Sequence, residues 1–298
     1  MDHFLASEIM DNFTCFLVAV SIALLGVYFY DWTTPFQFKI DLTEKDNPAL
    51  GVNLMGYVIG LTLLLGGAVS TGSGDIPHPL DIGIFGLLAI VLLRIGATIA
   101  DKLILPTFSV WKEIIEDRNV GTAFVTASVF IATGTILKGA LTGDSSSIFM
   151  GILTTIEYFI FSQVLMIIAA FLYVKSIKYK HEDGKTLTVY QELQDRDNPA
   201  VGLSFGGFMI GVSIIVSAAI EGNDITSFDD LVRALSVLTL SSGLGIGSLL
   251  LVRPFTDKAV FPYASMNSEV GEQQNLAIGG INAAFYVGFG LILSHLIG

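Results

Sequence analysis

The chain has 298 residues, of which 52% are hydrophobic and 14% charged, and its formal net charge is -12. A soluble domain carries about 25% charged residues, so this composition excludes an ordinary soluble protein and predicts a polytopic protein in contact with the lipid bilayer. The acidic balance argues against a nucleic-acid partner, and the single cysteine, Cys15, excludes an internal disulfide framework.

Eight apolar segments follow one another along the chain, each near the ~20 residues that a helix needs to cross a membrane. Irregular backbone that faces lipid leaves its polar groups without hydrogen bonds, which is energetically prohibitive. These segments therefore predict helices and an all-α membrane protein with eight transmembrane spans. In chain order the predicted spans are Phe13–Tyr30, Pro48–Val69, Ile82–Ala100, Val120–Ala140, Ile148–Val174, Pro199–Ile220, Leu231–Val252 and Leu276–Ile297.

The distribution of positive charge predicts an orientation. Under the eight-span topology, most of the 15 Lys and Arg residues fall on one side of the membrane. The positive-inside rule places that side in the cytoplasm, so both termini lie outside the cell. We therefore expect a multi-pass protein of a bacterial inner membrane with periplasmic termini.

The polar residues between the spans occur twice, in the same order. Asp46-Asn47-Pro48-Ala49-Leu50-Gly51 returns as Asp197-Asn198-Pro199-Ala200-Val201-Gly202. The repeated polar residues are Asp46, Asn47, Asp101, Lys102, Glu113, Glu116 and Asn119 in the first unit and Asp197, Asn198, Asp257, Lys258, Glu269, Glu272 and Asn275 in the second. This duplication predicts two four-helix repeats, residues 1–142 and 148–298. Each repeat has an even number of spans, so the repeats are parallel and we expect a pseudo-two-fold axis along the membrane normal.

The repeated blocks have both a structural and a functional interpretation. Asn47 and Asn198 suit the N-cap of a helix, and the following prolines suit its first turn. Helix capping alone explains this pattern. However, all three blocks of each unit fall on the predicted cytoplasmic side, which also indicates a polar site there.

Three charged residues, each within a predicted span or directly after one, are candidates for a polar site, namely Arg94, Glu157 and Arg253. Arg94 and Arg253 precede Asp101 and Asp257 at helical spacing, so we expect them to face the protein interior and to pair with these aspartates or with the repeated glutamates. A structural ion pair is the alternative to a functional one. Glu157 lies near the middle of the fifth span, where a carboxylate is a functional candidate. The alternative interpretation of Glu157 is a neutral, hydrogen-bonded side chain that joins two helices.

Glycines are arranged for close helix packing. Gly56 and Gly60 form a G-x-x-x-G pattern that Gly207 and Gly211 repeat. The same spans also carry Gly51 and Gly202, to which we assign the same packing role.

The sequence contains no recognisable catalytic motif, no Walker loop, no Rossmann fingerprint and no histidine set spaced for a metal. We therefore assign no catalytic residue, no metal site and no cofactor, and we expect a protein that is not an enzyme.

The order of these motifs resembles the YjfL-like bacterial inner-membrane family, known as domain of unknown function 350, in two tandem copies. The motifs are D-N-P-A-x-G at the second span, D-K at the end of the third and E-x2-E-x2-N before the fourth. The second copy departs from the first at Gln273-Gln274, where the first has Asp117-Arg118. The resemblance implies an inner-membrane protein with relatives near envelope-stress genes, and it implies no substrate.

Three functions remain open on the sequence. The first, which the sequence favours because two equivalent polar sites lie in an apolar bundle, is a non-enzymatic channel or transporter for an ion or small molecule, linked to envelope stress. The second is a membrane scaffold or stress sensor that docks a cytoplasmic protein, for which the charged connection Lys175–Asp197 is suited. A membrane enzyme using paired carboxylates is the third. A homo-oligomer is compatible with all of them.

Overall fold

A computed structural model describes residues 2–69, 78–142, 147–221, 228–260 and 262–297. It confirms an α-helical membrane protein with eight helices that are long and apolar enough to cross a bilayer. The long helices are α1 Asp2–Thr33, α3 Pro48–Val69, α4 Pro79–Ile99, α6 Val120–Leu141, α7 Ile148–Ser176, α9 Pro199–Ile220, α10 Phe228–Leu250 and α12 Leu276–Ile297. Met1 and Gly298, the outer limits of the two predicted repeats, lie outside the described residues.

Short elements precede or follow the long helices. They are the helices α2 Phe38–Thr43, α5 Val110–Ile115, α8 Val189–Arg196 and α11 Val252–Ala259, and the π-helical segments Ala100–Ile104 and Asn267–Glu272. The strands β1 Lys178–Lys180 and β2 Thr186–Thr188 form an antiparallel hairpin, which the sequence analysis did not predict. The hairpin lies outside the spans, where water can hydrogen-bond its unpaired edges.

The long helices form two rows. Helices α3, α6, α9 and α12 pack side by side in that order and make the core row, and the outer row α1, α4, α7 and α10 packs against them. Most residues of α6 and α9, the two central core helices, are buried. One outer helix, a connection with one or two short helical segments, and one core helix thus form a unit that occurs four times, a finer repeat than the predicted two-fold duplication.

All four core helices begin on the same side of the bundle with an asparagine, namely Asn47, Asn119, Asn198 and Asn275. We call this side the asparagine face. A shared direction of the core helices agrees with parallel units, and the rotation axis that relates the two halves stays a prediction.

Small residues let the core helices approach one another closely. A Cβ atom on Gly211 of α9 would lie 2.5 Å from the carbonyl oxygen of Tyr286 in α12. A Cβ on Gly202 would collide in the same way with the backbone of Gly121, and one on Gly60 with the carbonyl of Phe130. Such backbone contact is how parallel membrane helices associate without a hydrophobic driving force.

The remaining predicted packing glycines divide into two groups. Gly56 lies against the backbone of Ala127, and Gly207 lies against that of Ala283. For Gly51 the packing role is wrong: a Cβ there would meet only Leu42, 3.9 Å away, which is an ordinary contact. Gly51 lies near the start of α3, under the short helix that precedes it, and the backbones of α3 and α6 meet further along.

Candidate functional site

The asparagine face is built from four copies of one local structure. Each asparagine follows a residue in the left-handed region, with φ between 48° and 55°; these residues are Asp46, Arg118, Asp197 and Gln274. Left-handed backbone ends the short helical segment and turns the chain into the core helix. The side-chain oxygen of each asparagine then accepts hydrogen bonds from main-chain N–H groups in the first helical turn, as an N-cap does.

A carboxylate lies six residues before each asparagine. The four carboxylates are Asp41, Glu113, Glu192 and Glu269. In every copy the main-chain N–H of the asparagine donates to the carbonyl oxygen of this acidic residue. In three copies the side-chain amides of Asn119, Asn198 and Asn275 also donate to its carboxylate, each over 2.8 Å. In the first copy the Asp41 carboxylate instead binds Lys45 Nζ at 2.8 Å.

The asparagines also connect each unit to the next. The side-chain amide of Asn47 donates to the carbonyl oxygen of Ile114 over 2.9 Å. In the same way Asn119 donates to Leu193 over 2.6 Å, and Asn198 donates to Val270 over 2.9 Å. Each acceptor directly follows the carboxylate of the next unit. Asn275 belongs to the last unit and makes no such bond among the described residues.

The junction between the second and third units concentrates negative charge. The side-chain amide of Asn119 donates to Asp197 Oδ1 over 2.8 Å, and it also donates to the Glu113 carboxylate. The pKa of the Glu113 carboxyl is raised overall, mainly by burial. The nearby charges of Asp117 and Asp197 also raise it, whereas the hydrogen bond from Asn119 lowers it. Burial, followed by the charge of Asp117, also raises the pKa of Asp197.

His181 connects the hairpin to two neighbouring elements. Its Nε2 lies 2.5 Å from the fully buried Glu192, and its Nδ1 lies 2.7 Å from Glu272. Arg196 also reaches the ring, with Nη1 at 2.7 Å from Nδ1. Glu272 is therefore part of a packed polar cluster, whereas its predicted counterpart Glu116 is exposed on the surface.

The repeated Asp-Lys pairs sit where the third and seventh spans end. Asp101 Oδ1 accepts a hydrogen bond from the main-chain N–H of Val110 over 3.2 Å, and Asp257 Oδ1 accepts one from Met266 over 2.7 Å. Both aspartates thus hold the start of the segment that leads to the next core helix. The adjacent Lys102, which pairs with Asp101, and Lys258 are exposed.

The predicted partners of the two arginines are wrong. Arg94 donates to the hydroxyl and the carbonyl oxygen of Thr33 and lies over the ring of Trp111, at 5.7 Å. Arg253 donates to the Tyr179 hydroxyl and to Asn267. Among the described residues neither arginine forms an ion pair. The sequence spacing showed which aspartate shares a helix face, but that aspartate already caps the following segment.

Glu157 is exposed on the outer surface of α7, between the exposed apolar residues Leu153 and Ile160. Its carboxylate makes no hydrogen bond or ion pair with any described residue. The alternative that Glu157 joins two helices through a hydrogen bond is therefore wrong, because the side chain points away from the bundle.

Sequence reasoning missed a polar triad that lies inside each half. The Tyr30 hydroxyl donates to Asn53 over 2.6 Å, and Asn53 donates to Thr126 over 2.7 Å. In the second half, Ser204 lies 3.0 Å from the Tyr173 hydroxyl and accepts from Asn282 over 2.5 Å. Beside the first triad is a cavity of about 10 Å³ that Asp101 also lines, which is space for about one water molecule.

One pattern of this site could have been found in the sequence. An acidic residue six positions before an asparagine occurs at the start of every even-numbered span, which points to four units and to Asp41 and Glu192. The triads and the His181 cluster have no such pattern. Within the described part of the chain, no group of three or more His, Cys, Asp or Glu side chains is placed to hold a metal.

Comparison with known proteins supports the duplicated organisation. Residues 4–141 and 147–297 match the family described as Domain of Unknown Function (DUF350), which confirms the predicted resemblance in two tandem copies. A UPF0719 transmembrane protein of Aquifex aeolicus (strain VF5) is 29% identical over 158 residues, which cover 51% of this chain and 57% of the relative. The chain thus spans little more than half the length of that relative. None of the solved structures matches the chain.

Proposed function

The chain belongs to the DUF350 family, and from this premise we propose that it is a non-enzymatic membrane scaffold whose asparagine face docks a cytoplasmic protein. The orientation comes from the positive-inside rule, which places the asparagine face in the cytoplasm of a bacterium and both termini outside its inner membrane. A link to envelope stress is part of the proposal and rests on the family resemblance alone.

One observation carries the scaffold function: hydrogen bonds between neighbouring units run along the whole asparagine face. Asn47, Asn119 and Asn198 each fix the start of one core helix and bind the main chain of the next unit. Buried side-chain bonds of this kind hold an assembly in one arrangement. Below this face the core helices touch backbone to backbone at Gly60, Gly202 and Gly211, which leaves no side-chain-sized space at these points.

The hairpin gives this rigid face a charged projection. Its base is fixed by the buried ring of Tyr179 and by His181, which contacts Glu192 and Glu272. Its tip, residues 182–185, is exposed and carries Glu182, Asp183 and Lys185. A rigid base with an exposed charged tip is suited to recognise a protein partner, since little side-chain and loop entropy is lost on binding.

Transport of a small ion is the second candidate, and the two polar triads favour it. Buried polar side chains lie at corresponding places in both halves, and a water-sized cavity adjoins Tyr30, Asn53, Thr126 and Asp101. We rank this function second because the close contacts between core helices oppose a continuous passage through the core row.

Site-specific photo-crosslinking in intact cells tests the scaffold function. A crosslinker at Glu182 should give a discrete adduct with one protein, and neutralising the tip with Asp183→Asn and Lys185→Gln should abolish it. Replacing all of Lys175–Asp197 would be uninformative, because this would remove the buried Glu192. The matched control Glu44→Gln changes an exposed charge on the same face and should leave the adduct intact.

The opposite results would favour transport. Absence of an adduct from the hairpin, together with ion flux in reconstituted vesicles that Asn53→Ala abolishes, would overturn the scaffold function.

A further inference from the structure

Arg253 is a buried cation that has no carboxylate partner among the described residues. The residue is only 8% exposed. Its guanidinium lies over the ring of Tyr179, at 4.6 Å, and its nitrogens donate to the Tyr179 hydroxyl over 2.9 Å and to Asn267 Oδ1 over 3.1 Å. Both acceptors are neutral, and Arg253 forms no ion pair with any described residue. A buried charge that is not compensated is costly, so a negative group from outside the chain would be stabilised beside it.

Arg253 lines an open cavity of about 280 Å³, which we call the Arg253 cavity. Lys178 and Asn267 are also in its wall, and Ser176 adds a hydroxyl. Asp257 is the one carboxylate there, and its Oδ1 already accepts the N–H of Met266. Two cationic residues and one acidic residue therefore line a space far larger than the roughly 10–15 Å³ that a single water requires.

The cavity lies at the ends of two long apolar helices, on the side of the bundle that carries the asparagine face. It opens where α7 and α10, two of the long apolar helices, end at Ser176 and Leu250. Next to it, α11 buries Arg253 while Phe255 is 52% exposed, and Leu251, just before the helix, is 68% exposed. Exposed apolar residues beside a positive group are typical of helices that lie in the headgroup region of a bilayer.

In the first half of the chain, the place that corresponds to Asn267 carries a bulky residue. Trp111 follows Val110, the main-chain donor to Asp101, just as Asn267 follows Met266, the donor to Asp257. The cavity beside Trp111 measures only about 10 Å³. A bulky ring thus stands where the second half has a small amide.

We propose that the Arg253 cavity binds the phosphate group of an anionic phospholipid. Arg253 supplies a planar, two-pronged donor that matches phosphate oxygens, Lys178 supplies a second charge, and the Ser176 hydroxyl donates a further hydrogen bond. The acyl chains of the lipid extend along the apolar surface near Leu251 and Phe255. Free phosphate shares the headgroup's charge and acceptor geometry, so the test must separate the two sources.

Thermal unfolding of the full-length protein in an uncharged detergent provides the test. Titration with short-chain phosphatidylglycerol should raise the melting temperature until the site is saturated. Short-chain phosphatidylcholine and inorganic phosphate should raise it much less. If phosphatidylcholine raised the melting temperature equally, the cavity would not be an anion site. If inorganic phosphate raised it equally, the cavity would bind the free anion, and the proposal of a lipid ligand would be wrong.

Two variants test the site, of which Lys178→Gln leaves both partners of Arg253 in place and Asn267→Trp replaces one of them. Lys178→Gln changes an exposed residue, and Asn267→Trp introduces the side chain that the first half carries at this place. Each should weaken the apparent affinity for phosphatidylglycerol about tenfold or more, since a charge-assisted contact or the space for the headgroup is lost. Lys258→Gln, an exposed lysine outside this cavity, is the control. Unchanged affinity in both test variants would refute the proposal.

Discussion

The side-chain amide of Asn119 donates a hydrogen bond to the main-chain carbonyl oxygen of Leu193, over 2.6 Å, across the junction of the two family copies. Asn119 also caps α6 and holds the buried Glu113. One side chain thus fixes a helix start, a carboxylate and the neighbouring copy, which makes the junction sensitive to its removal.

We expect Asn119→Ala to destabilise the protein by about 2–4 kcal/mol, because a helix cap is lost and buried partners are left without a donor. Asn275→Ala is the matched control, since Asn275 caps α12 and holds Glu269 but makes no bond to a further unit. Asn275→Ala should lower the free energy of unfolding by about 0.5–2 kcal/mol. Denaturant unfolding in detergent measures both, and equal losses would contradict the role of Asn119 at the junction.

Glu113 and Asp41 should respond to pH with opposite signs. Burial raises the folded pKa of Glu113 above its unfolded value of about 4.3. The stability that Glu113 contributes is therefore complete below the unfolded pKa and is lost as the pH rises through the folded pKa. Glu113→Gln keeps an acceptor for Asn119 without the charge beside Asp117 and Asp197, so it should stabilise the protein at neutral pH but not at pH 4.

Asp41 provides the comparison, because the hydrogen bond from Lys45 lowers its folded pKa. Its contribution is present above the unfolded pKa of about 3.9 and is lost as the pH falls through the folded pKa. Asp41→Asn should therefore destabilise the protein at neutral pH, with a smaller effect in acid. Melting temperatures from pH 8 down to well below the unfolded pKa of Asp41, about 3.9, give both profiles, and profiles of the same sign would contradict these assignments.

Two glycines of the same helix should differ in their tolerance of a methyl group. Gly60→Ala forces a Cβ into the carbonyl of Phe130, so we expect a loss of about 1–3 kcal/mol through overpacking. At Gly51 the added Cβ meets only Leu42 at 3.9 Å. Gly51→Ala should be neutral or should stabilise by up to about 1 kcal/mol, since alanine favours the helix. A comparable loss at both positions would place the helix crossing elsewhere.

The exposed carboxylate of Glu157 is expected to cost stability in the bilayer. Charged residues at a helix centre cost about 2.5–3.5 kcal/mol on insertion scales. Glu157→Leu should therefore raise the yield and stability of the membrane-inserted protein, and Glu157→Gln should have a smaller effect. A decrease with Leu would show that this surface of α7 contacts a polar partner, and size-exclusion chromatography would reveal whether that partner is a second copy.

Cysteine accessibility measures the predicted orientation. In a background with Cys15→Ala, Glu182→Cys on the hairpin tip should react with an impermeant maleimide only after the cells are opened. Lys138→Cys, near the end of α6 that lies opposite the asparagine face, should react in intact cells. Labelling in the reverse order would place the termini in the cytoplasm.

The charged residues show where prediction from sequence stopped. The periodicity of the third span showed that Arg94 and Asp101 share a face. It could not show that Thr33, at the end of α1, offers its carbonyl and hydroxyl oxygens to the guanidinium. Likewise, the repeat analysis paired Glu116 with Glu272, but only Glu272 lies near His181.

The number of spans, the helix caps at Asn47 and Asn198 and the family copies followed from the sequence by itself, whereas the caps at Asn119 and Asn275 appeared only in the structure. These features depend on local physics: the bilayer fixes the length of an apolar helix, and an Asn-Pro pair favours a helix start wherever it occurs. The order of the core row, the bonds between its units and the Arg253 cavity were decided only by the tertiary structure. They join residues distant in the chain, so they depend on which helix faces are in contact, which the spacing of residues along one helix does not determine.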